Sequence, residues 1–97
     1  MIIRIVKMTF KPDRVADFLE NFHRHKEHIR QFDGCTHLEL RQESGQPHVY
    51  FTYSWWEGEE KLENYRHSQL FKEVWSYTKS LFTDKPQAWS LTQKVKL

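Results

Sequence analysis

Cysteine and glycine are scarce in this chain of 97 residues. The single cysteine, Cys35, excludes an internal disulfide and fits a reducing compartment such as the cytoplasm. Three glycines provide no glycine-rich loop for binding phosphate. No apolar run approaches the ~20 residues of a membrane span, and the chain does not open with the charged-then-apolar layout of a signal peptide. The sequence therefore predicts a cytoplasmic protein without a membrane partner.

Charge of one sign is not concentrated anywhere in the chain. The 15 basic and 13 acidic residues give a net charge of +2, and the densest basic run, at positions 23–26, is followed at once by Glu27. A nucleic-acid-binding surface would instead collect Lys and Arg on one face. His23, His25 and His28 are not completed by a cysteine or carboxylate into a metal-binding pattern, so we interpret them as a solvated helix face. No nucleic-acid partner, metal or cofactor is predicted.

Aromatic residues are abundant, at 15% of the chain. A chain of this length forms one domain, 1–97, and buries roughly 60–65% of its extended surface, so its core is modest. Large aromatic side chains partly compensate for the small core. A second subunit that covers one face is a further way to bury apolar surface, and we expect a homodimer.

The hydrophobic periodicity predicts the element order strand, helix, strand, strand, helix, strand. In the first strand, Arg4 interrupts an apolar even-numbered face, and Ser68 is predicted to cap a helix that restarts within the second helical region. This order predicts an α+β, ferredoxin-like βαββαβ fold with an antiparallel sheet and both helices on one face. Apolar residues on the other face favour a dimeric α+β barrel. The predicted ranges are strands at 2–10, 35–42, 48–56 and 87–97, and helical regions that start at Lys11-Pro12-Asp13 and Glu57-Gly58 and stop at Gly34 and Asp84-Lys85-Pro86.

The chain resembles the antibiotic biosynthesis monooxygenase (ABM) family of dimeric α+β barrels over nearly its whole length. The resemblance implies the fold more specifically than the reaction, since related sequences include cofactor-free oxygenases of polycyclic phenols, haem-degrading enzymes and small-molecule isomerases. The matching residues are Thr9-Phe10-Lys11-Pro12 leading into Phe18, Phe32-Asp33-Gly34-Cys35, and the spaced series Trp56, Glu59, Leu62, Tyr65, Ser68, Phe71.

The haem-degrading branch of the family has a pattern that this chain departs from. That pattern places an Asn on the first strand, where this chain has Val6 or Lys7. It places a Trp three residues before the Ser of the second helical region and a haem-ligating His four residues after the Phe, where Tyr65 and Trp75 stand here. An indole N–H cannot ligate iron. The resemblance therefore implies the fold and argues against that mode of haem binding.

Candidate catalytic residues lie in the aromatic stretch from Tyr53 to Trp75. A cofactor-free oxygenase needs a base or hydrogen-bond donor and apolar walls that exclude water. His67 and Tyr65 are the predicted catalytic residues, because a neutral imidazole can accept a proton near pH 7 and a phenol can donate a hydrogen bond. The alternative for His67 is a solvent-facing histidine at a turn.

Four further residues are predicted to bind substrate: His25, Trp75, Asn64 and Arg4. Each has a structural alternative. His25 lies on an apolar stripe and can instead be a buried histidine that is hydrogen-bonded to a backbone carbonyl. Trp75 can instead be a residue of the hydrophobic core with no role in binding. Asn64 immediately precedes Tyr65, and because a helix turns ~100° per residue, the two side chains are not expected to face the same cavity. For Arg4 the pattern favours an ion pair with an acid at the sheet edge over an anionic substrate.

The leading hypothesis is a cofactor-independent monooxygenase that acts with molecular oxygen on a small aromatic or quinone-type molecule, between the sheet and the helices of each subunit. A non-enzymatic ligand-binding or stress-related dimer of the same fold is the alternative. A third hypothesis is non-standard haem binding through His67 or His25.

Overall fold

Four strands form a single antiparallel sheet in the order β2-β3-β1-β4. The structure is a computed structural model and describes residues 1–97. The first strand lies inside the sheet, between the third strand and the last, which is the ferredoxin-like arrangement that the sequence predicts. The strands are β1 (Ile2–Thr9), β2 (Cys35–Gln42), β3 (Val49–Trp56) and β4 (Gln87–Leu91).

The helices are α1 (Val15–Arg30), α2 (Glu59–Arg66) and α3 (Gln69–Lys79). A short 3-10 turn at Pro12–Arg14 precedes α1, where proline suits the first helical position. The predicted cap at Ser68 is confirmed, because its Oγ accepts a hydrogen bond of 3.1 Å from the Phe71 backbone N–H and so starts α3. No helix combines the length and the apolar character that a membrane crossing requires.

Three predicted boundaries are wrong. The second helical region ends at Lys79 rather than reaching Asp84, and Phe82 instead forms a β-bridge to Phe10. The first helix ends at Arg30 rather than reaching Gly34, which instead forms a turn with φ of 92° before β2. The last strand ends at Leu91 rather than Leu97. Leu91 pairs with Ile3, close to the start of β1, so the chain beyond Leu91 has almost no strand left to pair with. Val95 and Leu97 are therefore exposed and do not lie on the sheet.

The core consists of two clusters on the helix side of the sheet. In the larger cluster, the Phe10 and Phe18 rings stack with centroids 4.1 Å apart. The smaller cluster joins Cys35, Trp56 and Leu62 near the opposite end of β1. Large aromatic side chains supply much of the apolar area that stabilises so small a domain.

The other side of the sheet carries side chains that no helix covers, and we call it the open face. Strand alternation sends the odd-numbered residues of β1 to this face, and the register places Ile5 between Tyr53 and Trp89. Trp89 and Leu91 are 42% and 46% exposed there. The open face comprises Ile3, Ile5, Lys7, His37, Glu39, Arg41, Phe51, Tyr53, Trp55, Trp89 and Leu91.

Candidate active site

A cavity of about 320 Å³ lies between the sheet and the helices. Of its 19 lining residues, 13 are hydrophobic, so its walls favour an apolar ligand. Members of both core clusters contribute to the walls, including Phe18 from α1 and Trp56 from β3. A volume near the lower end of the range for ligand sites suits a small molecule of one or two rings.

Alternation along β1 gives the cavity one polar end and one apolar end. Arg4, Val6 and Met8 all point to the helix side, so the strand passes from a guanidinium to apolar side chains. Ser54, directly opposite Arg4 on β3, also lines the cavity. Arg66, on α2, adds a second guanidinium.

Arg4 lines the cavity. The prediction that it forms an ion pair with an acid at the sheet edge is wrong. Its Nη1 donates a hydrogen bond of 2.9 Å to Ser90 Oγ on β4, and no acid forms an ion pair with it. Burial lowers the pKa of Arg4, and the nearby charge of Arg66 lowers it further. The guanidinium remains charged at any ordinary pH, because its reference pKa exceeds 12.

Tyr65 is held in the cavity wall by three other aromatic rings. Its ring stacks on Trp56 with centroids 4.8 Å apart, and it meets the edges of Phe32 and Phe71 at 5.3 and 5.2 Å. Burial raises the pKa of the Tyr65 phenol well above its usual value, with a smaller contribution from the nearby Cys35 thiol. Tyr65 therefore stays protonated near pH 7, and it can donate a hydrogen bond to a ligand but does not act as a base there.

Trp75 also lines the cavity, from α3. Its ring stacks on Phe71 with centroids 5.8 Å apart and meets Phe82 edge-on at 5.7 Å. The side chain packs against the larger core cluster as well. Trp75 is thus both a residue of the cavity wall and a residue of the core. The structure is therefore compatible with both interpretations of the sequence, substrate binding and core packing.

The structure does not place His67 or Asn64 in the cavity. The His67 side chain is 79% exposed, and its Nε2 lies 3.4 Å from Glu63 Oε2 at the end of α2. Asn64 is exposed. The helix turn of ~100° per residue separates Asn64 from the inward-facing Tyr65, and His67 follows Tyr65 by two residues, a rotation of ~200°. His67 therefore matches the solvent-facing alternative, and its catalytic role stays a prediction.

His25 lies outside the cavity too, half-buried on α1. Its Nδ1 is 2.9 Å from the backbone carbonyl oxygen of Asn21, one turn earlier. This is the backbone-satisfied histidine that was the alternative to substrate binding. No histidine lines the cavity, so its residues do not fit a haem held by an imidazole ligand.

Arg66 and Ser54 are cavity residues that the sequence reasoning missed. A signal for each is present in the spacing. Arg66 follows the buried Leu62 by four residues, which places both on one face of α2. Ser54 precedes the buried Trp56 by two residues, which places both on one face of β3. Both residues were missed because the inward-facing positions were assigned from apolar residues, and Arg66 and Ser54 are polar.

Residues 1–75 match the family described as antibiotic biosynthesis monooxygenase. The chain belongs to that family. The matched segment covers β1 through most of α3 and contains most of the cavity walls, including Arg4, Tyr65, Arg66 and Trp75. Pro86 and Ala88, which complete the cavity near β4, lie beyond the matched segment.

Solved structures agree with the family assignment. A crystal structure of a conserved protein from Methanosarcina mazei Go1 superposes with a TM-score of 0.90 at 23% identity, covering 97% of this chain and 94% of that one. A protein described as an antibiotic biosynthesis monooxygenase gives a TM-score of 0.91 at 15% identity, covering 98% and 100%. A Mycobacterium tuberculosis protein gives 0.89 at 15%, covering 98% and 96%. At such identities the likeness establishes the fold of this family member. No curated protein matches the chain.

Proposed function

We propose that the chain is a cofactor-independent monooxygenase that acts on a small aromatic or quinone-type molecule inside the cavity. The observation that carries this proposal is the cavity itself, which has aromatic walls, a mostly apolar lining and hydrogen-bond donors gathered at one end. Such a site holds a flat ring, orients it by a polar substituent and excludes water from a reactive intermediate. Membership of the monooxygenase family supports the reaction class.

The proposed reaction is the oxidation of a phenol or hydroxyarene to a quinone by molecular oxygen. One oxygen atom becomes the new carbonyl on the ring, and the other leaves as water with the two hydrogens that the ring carbon and the hydroxyl lose. All the electrons come from the substrate, so the balance requires no separate reductant. The protein promotes this reaction by favouring the electron-rich form of the ring and keeping solvent away.

Tyr65 and Trp75 have distinct parts in this proposal. The protonated Tyr65 hydroxyl donates a hydrogen bond to a substrate oxygen, and its raised pKa keeps it a donor over the working pH range. Trp75 provides a flat apolar wall on the α3 side. His67 is tested separately as a catalytic residue, since its exposed side chain would have to reach the substrate from outside the cavity.

The proposal includes a homodimer formed through the open face of the sheet. Trp89 and Leu91 are large apolar side chains exposed side by side with Ile5 and Tyr53. An apolar sheet face of this kind is typical of a surface that another subunit covers. Because the cavity lies on the helix side of the sheet, each subunit keeps its own cavity lining in such a dimer.

One observation favours the alternative, a non-enzymatic ligand-binding dimer of the same fold. The cavity lining contains no histidine, aspartate or glutamate. Tyr65 cannot replace them as a proton acceptor near pH 7, because its pKa is raised. A ligand-binding protein needs no such acceptor, whereas an oxygenase without one depends on a substrate that ionises readily.

Oxygen consumption by purified protein separates the two functions. A panel of naphthols and hydroquinones is tested aerobically and anaerobically with wild type, Ala88→Phe and Ala16→Phe. The Ala88 side chain borders the cavity and a phenyl group there is expected to narrow it, whereas Ala16 is exposed on α1 and serves as the matched control. Of these three proteins, we expect only Ala88→Phe to lose oxygen uptake.

Binding without oxygen uptake across the panel would favour the non-enzymatic function. His67→Ala is tested in the same assay, and unchanged turnover in that variant would remove His67 from the mechanism.

A further inference from the structure

Arg4 is a cavity-lining cation without an anionic partner. Its side chain is partly buried, and its one hydrogen bond joins it to the neutral hydroxyl of Ser90. The charges that face it are those of Arg66 and Glu63 on α2. Glu63 is already paired, since its Oε1 accepts a hydrogen bond of 2.7 Å from Arg66 and its Oε2 lies 3.4 Å from His67.

The two guanidiniums leave this end of the cavity with an unmatched positive charge. Arg4 and Arg66 together carry two positive charges against the single carboxylate of Glu63. Removing a guanidinium from water beside a like charge is unfavourable, as the lowered pKa of Arg4 reflects. A bound anion would offset both the lost hydration of Arg4 and its repulsion from Arg66, because guanidinium groups bind planar oxyanions through paired hydrogen bonds.

We propose that the cavity binds its aromatic ligand as an oxyanion, with the negative oxygen atoms held between Arg4 on β1 and Arg66 on α2. The ring of the ligand then extends towards Val6, Phe18 and Trp75 at the apolar end. The inference rests on the proposed cavity function and adds the charge state of the substrate. A carboxylate and a phenolate share this chemistry, and either places its ring in the same walls.

The proposed anion site also addresses the missing base. An opposite charge close to a phenol stabilises its ionised form and lowers its pKa. Arg4 and Arg66 would therefore shift a bound phenol towards the phenolate without any side chain accepting the proton inside the cavity. The proton is released to solvent on binding, and the electron-rich anion remains in place for oxygen.

A pair of isosteric probes tests the charge preference directly. Binding of 2-naphthoate and of neutral 2-naphthamide is measured in the absence of oxygen by quenching of tryptophan fluorescence and by calorimetry. We expect wild type to bind the carboxylate at least tenfold more tightly than the amide, the scale of one charge-assisted hydrogen-bonded contact. Arg4→Gln and Arg66→Gln should each reduce that preference while retaining the amide. Arg24→Gln, an exposed arginine paired with Glu20 on α1, is the matched control and should keep the preference.

Equal affinity of wild type for the two probes would overturn the proposal, as would a wild type that binds neither probe. A preference for the carboxylate that survives in both Arg4→Gln and Arg66→Gln would overturn it as well. Arg66 is exposed on α2, so Arg66→Gln provides a test even if Arg4→Gln does not fold. A second arm titrates bound 2-naphthol, whose pKa should fall in wild type relative to Arg4→Gln. Because binding is measured without oxygen, it is independent of turnover. A clear anion preference here, together with no oxygen uptake in the aerobic panel, would reject the oxygenase and retain the anion site.

Discussion

Arg4 Nη1 donates a hydrogen bond of 2.9 Å to Ser90 Oγ, and the two residues are direct partners in the β1–β4 ladder. The contact fixes a long, charged side chain at the polar end of the cavity by means of a strand at the sheet edge. A guanidinium that is oriented before the ligand arrives loses less conformational freedom on binding. Ser90 is therefore a positioning residue for Arg4.

Ser90→Ala should weaken binding of 2-naphthoate by about two- to tenfold, the scale of one solvent-exposed hydrogen bond. Binding of 2-naphthamide should be unchanged, because the amide does not depend on the Arg4 charge. Ser80→Ala is the control, since Ser80 bonds only to the Tyr77 carbonyl at the end of α3. Equal weakening of both probes would show that Ser90 supports the cavity wall rather than Arg4.

Tyr65 should make the stability of the protein decline at alkaline pH. Its folded-state pKa is raised by burial, so the unfolded chain loses the phenol proton near pH ~10 while the folded chain keeps it. Unfolding then releases a proton, and the free energy of unfolding falls as pH rises, by at most about 1.4 kcal/mol per pH unit.

Tyr65→Phe should reduce this decline and change stability little at neutral pH, which denaturant unfolding at a series of pH values measures. Part of the decline should remain, because burial also raises the pKa of the Cys35 thiol. Tyr77→Phe, at an exposed position on α3, is the control and should follow the wild-type profile. Parallel pH profiles for wild type and Tyr65→Phe would contradict the burial of the Tyr65 hydroxyl.

Gly34 should be the least replaceable glycine of the three. Its φ of 92° disfavours an L side chain, and an added Cβ would lie 2.4 Å from Lys61 Cβ. Gly34→Ala should cost about 2–4 kcal/mol of unfolding free energy. Gly45, with φ of 79° and no neighbour within 4 Å, isolates the backbone effect at about 1–2 kcal/mol. Gly58 has neither feature and should cost less than about 1 kcal/mol. Equal losses at Gly34 and Gly45 would refute the steric contribution of Lys61.

The fold follows from residues that act locally. Alternation in β3 and the cap at Ser68 are properties of short segments, so the sequence predicts both correctly. The end of β4 could not be predicted that way. It depends on where β1 runs out of pairing residues, at the other end of the chain.

The cavity shows the same division between local and distant effects. Tyr65 and Trp75 were predicted because aromatic residues at helical spacing point inwards together. The approach of Arg66 to Arg4 joins a helix and a strand far apart in sequence, and only packing brings them together. His67 was selected for its chemistry, although the rotation of α2 after Tyr65 already turns it outwards.

The open face should hold two subunits together in solution. Trp89→Glu introduces a charge at an exposed apolar position of that face and should convert a dimer into a monomer of 11.9 kDa. Tyr77→Glu places the same charge on α3, at a similar exposure, and should leave the dimer intact. Light scattering coupled to size exclusion measures both. A monomeric wild type, or a Trp89→Glu variant that remains dimeric, would reject this face as the interface.

Labelling with ¹⁸O₂ tests the proposed reaction most directly. Purified protein, treated with a chelator and free of added flavin or metal, is incubated with a naphthol substrate under ¹⁸O₂, and the quinone product is analysed by mass spectrometry. The proposal predicts one labelled oxygen atom per quinone, with formation fast in wild type and Ala16→Phe and lost in Ala88→Phe, where the phenyl group is expected to narrow the cavity. Unlabelled quinone, or labelled quinone formed equally fast by Ala88→Phe, would contradict oxygenation inside this cavity.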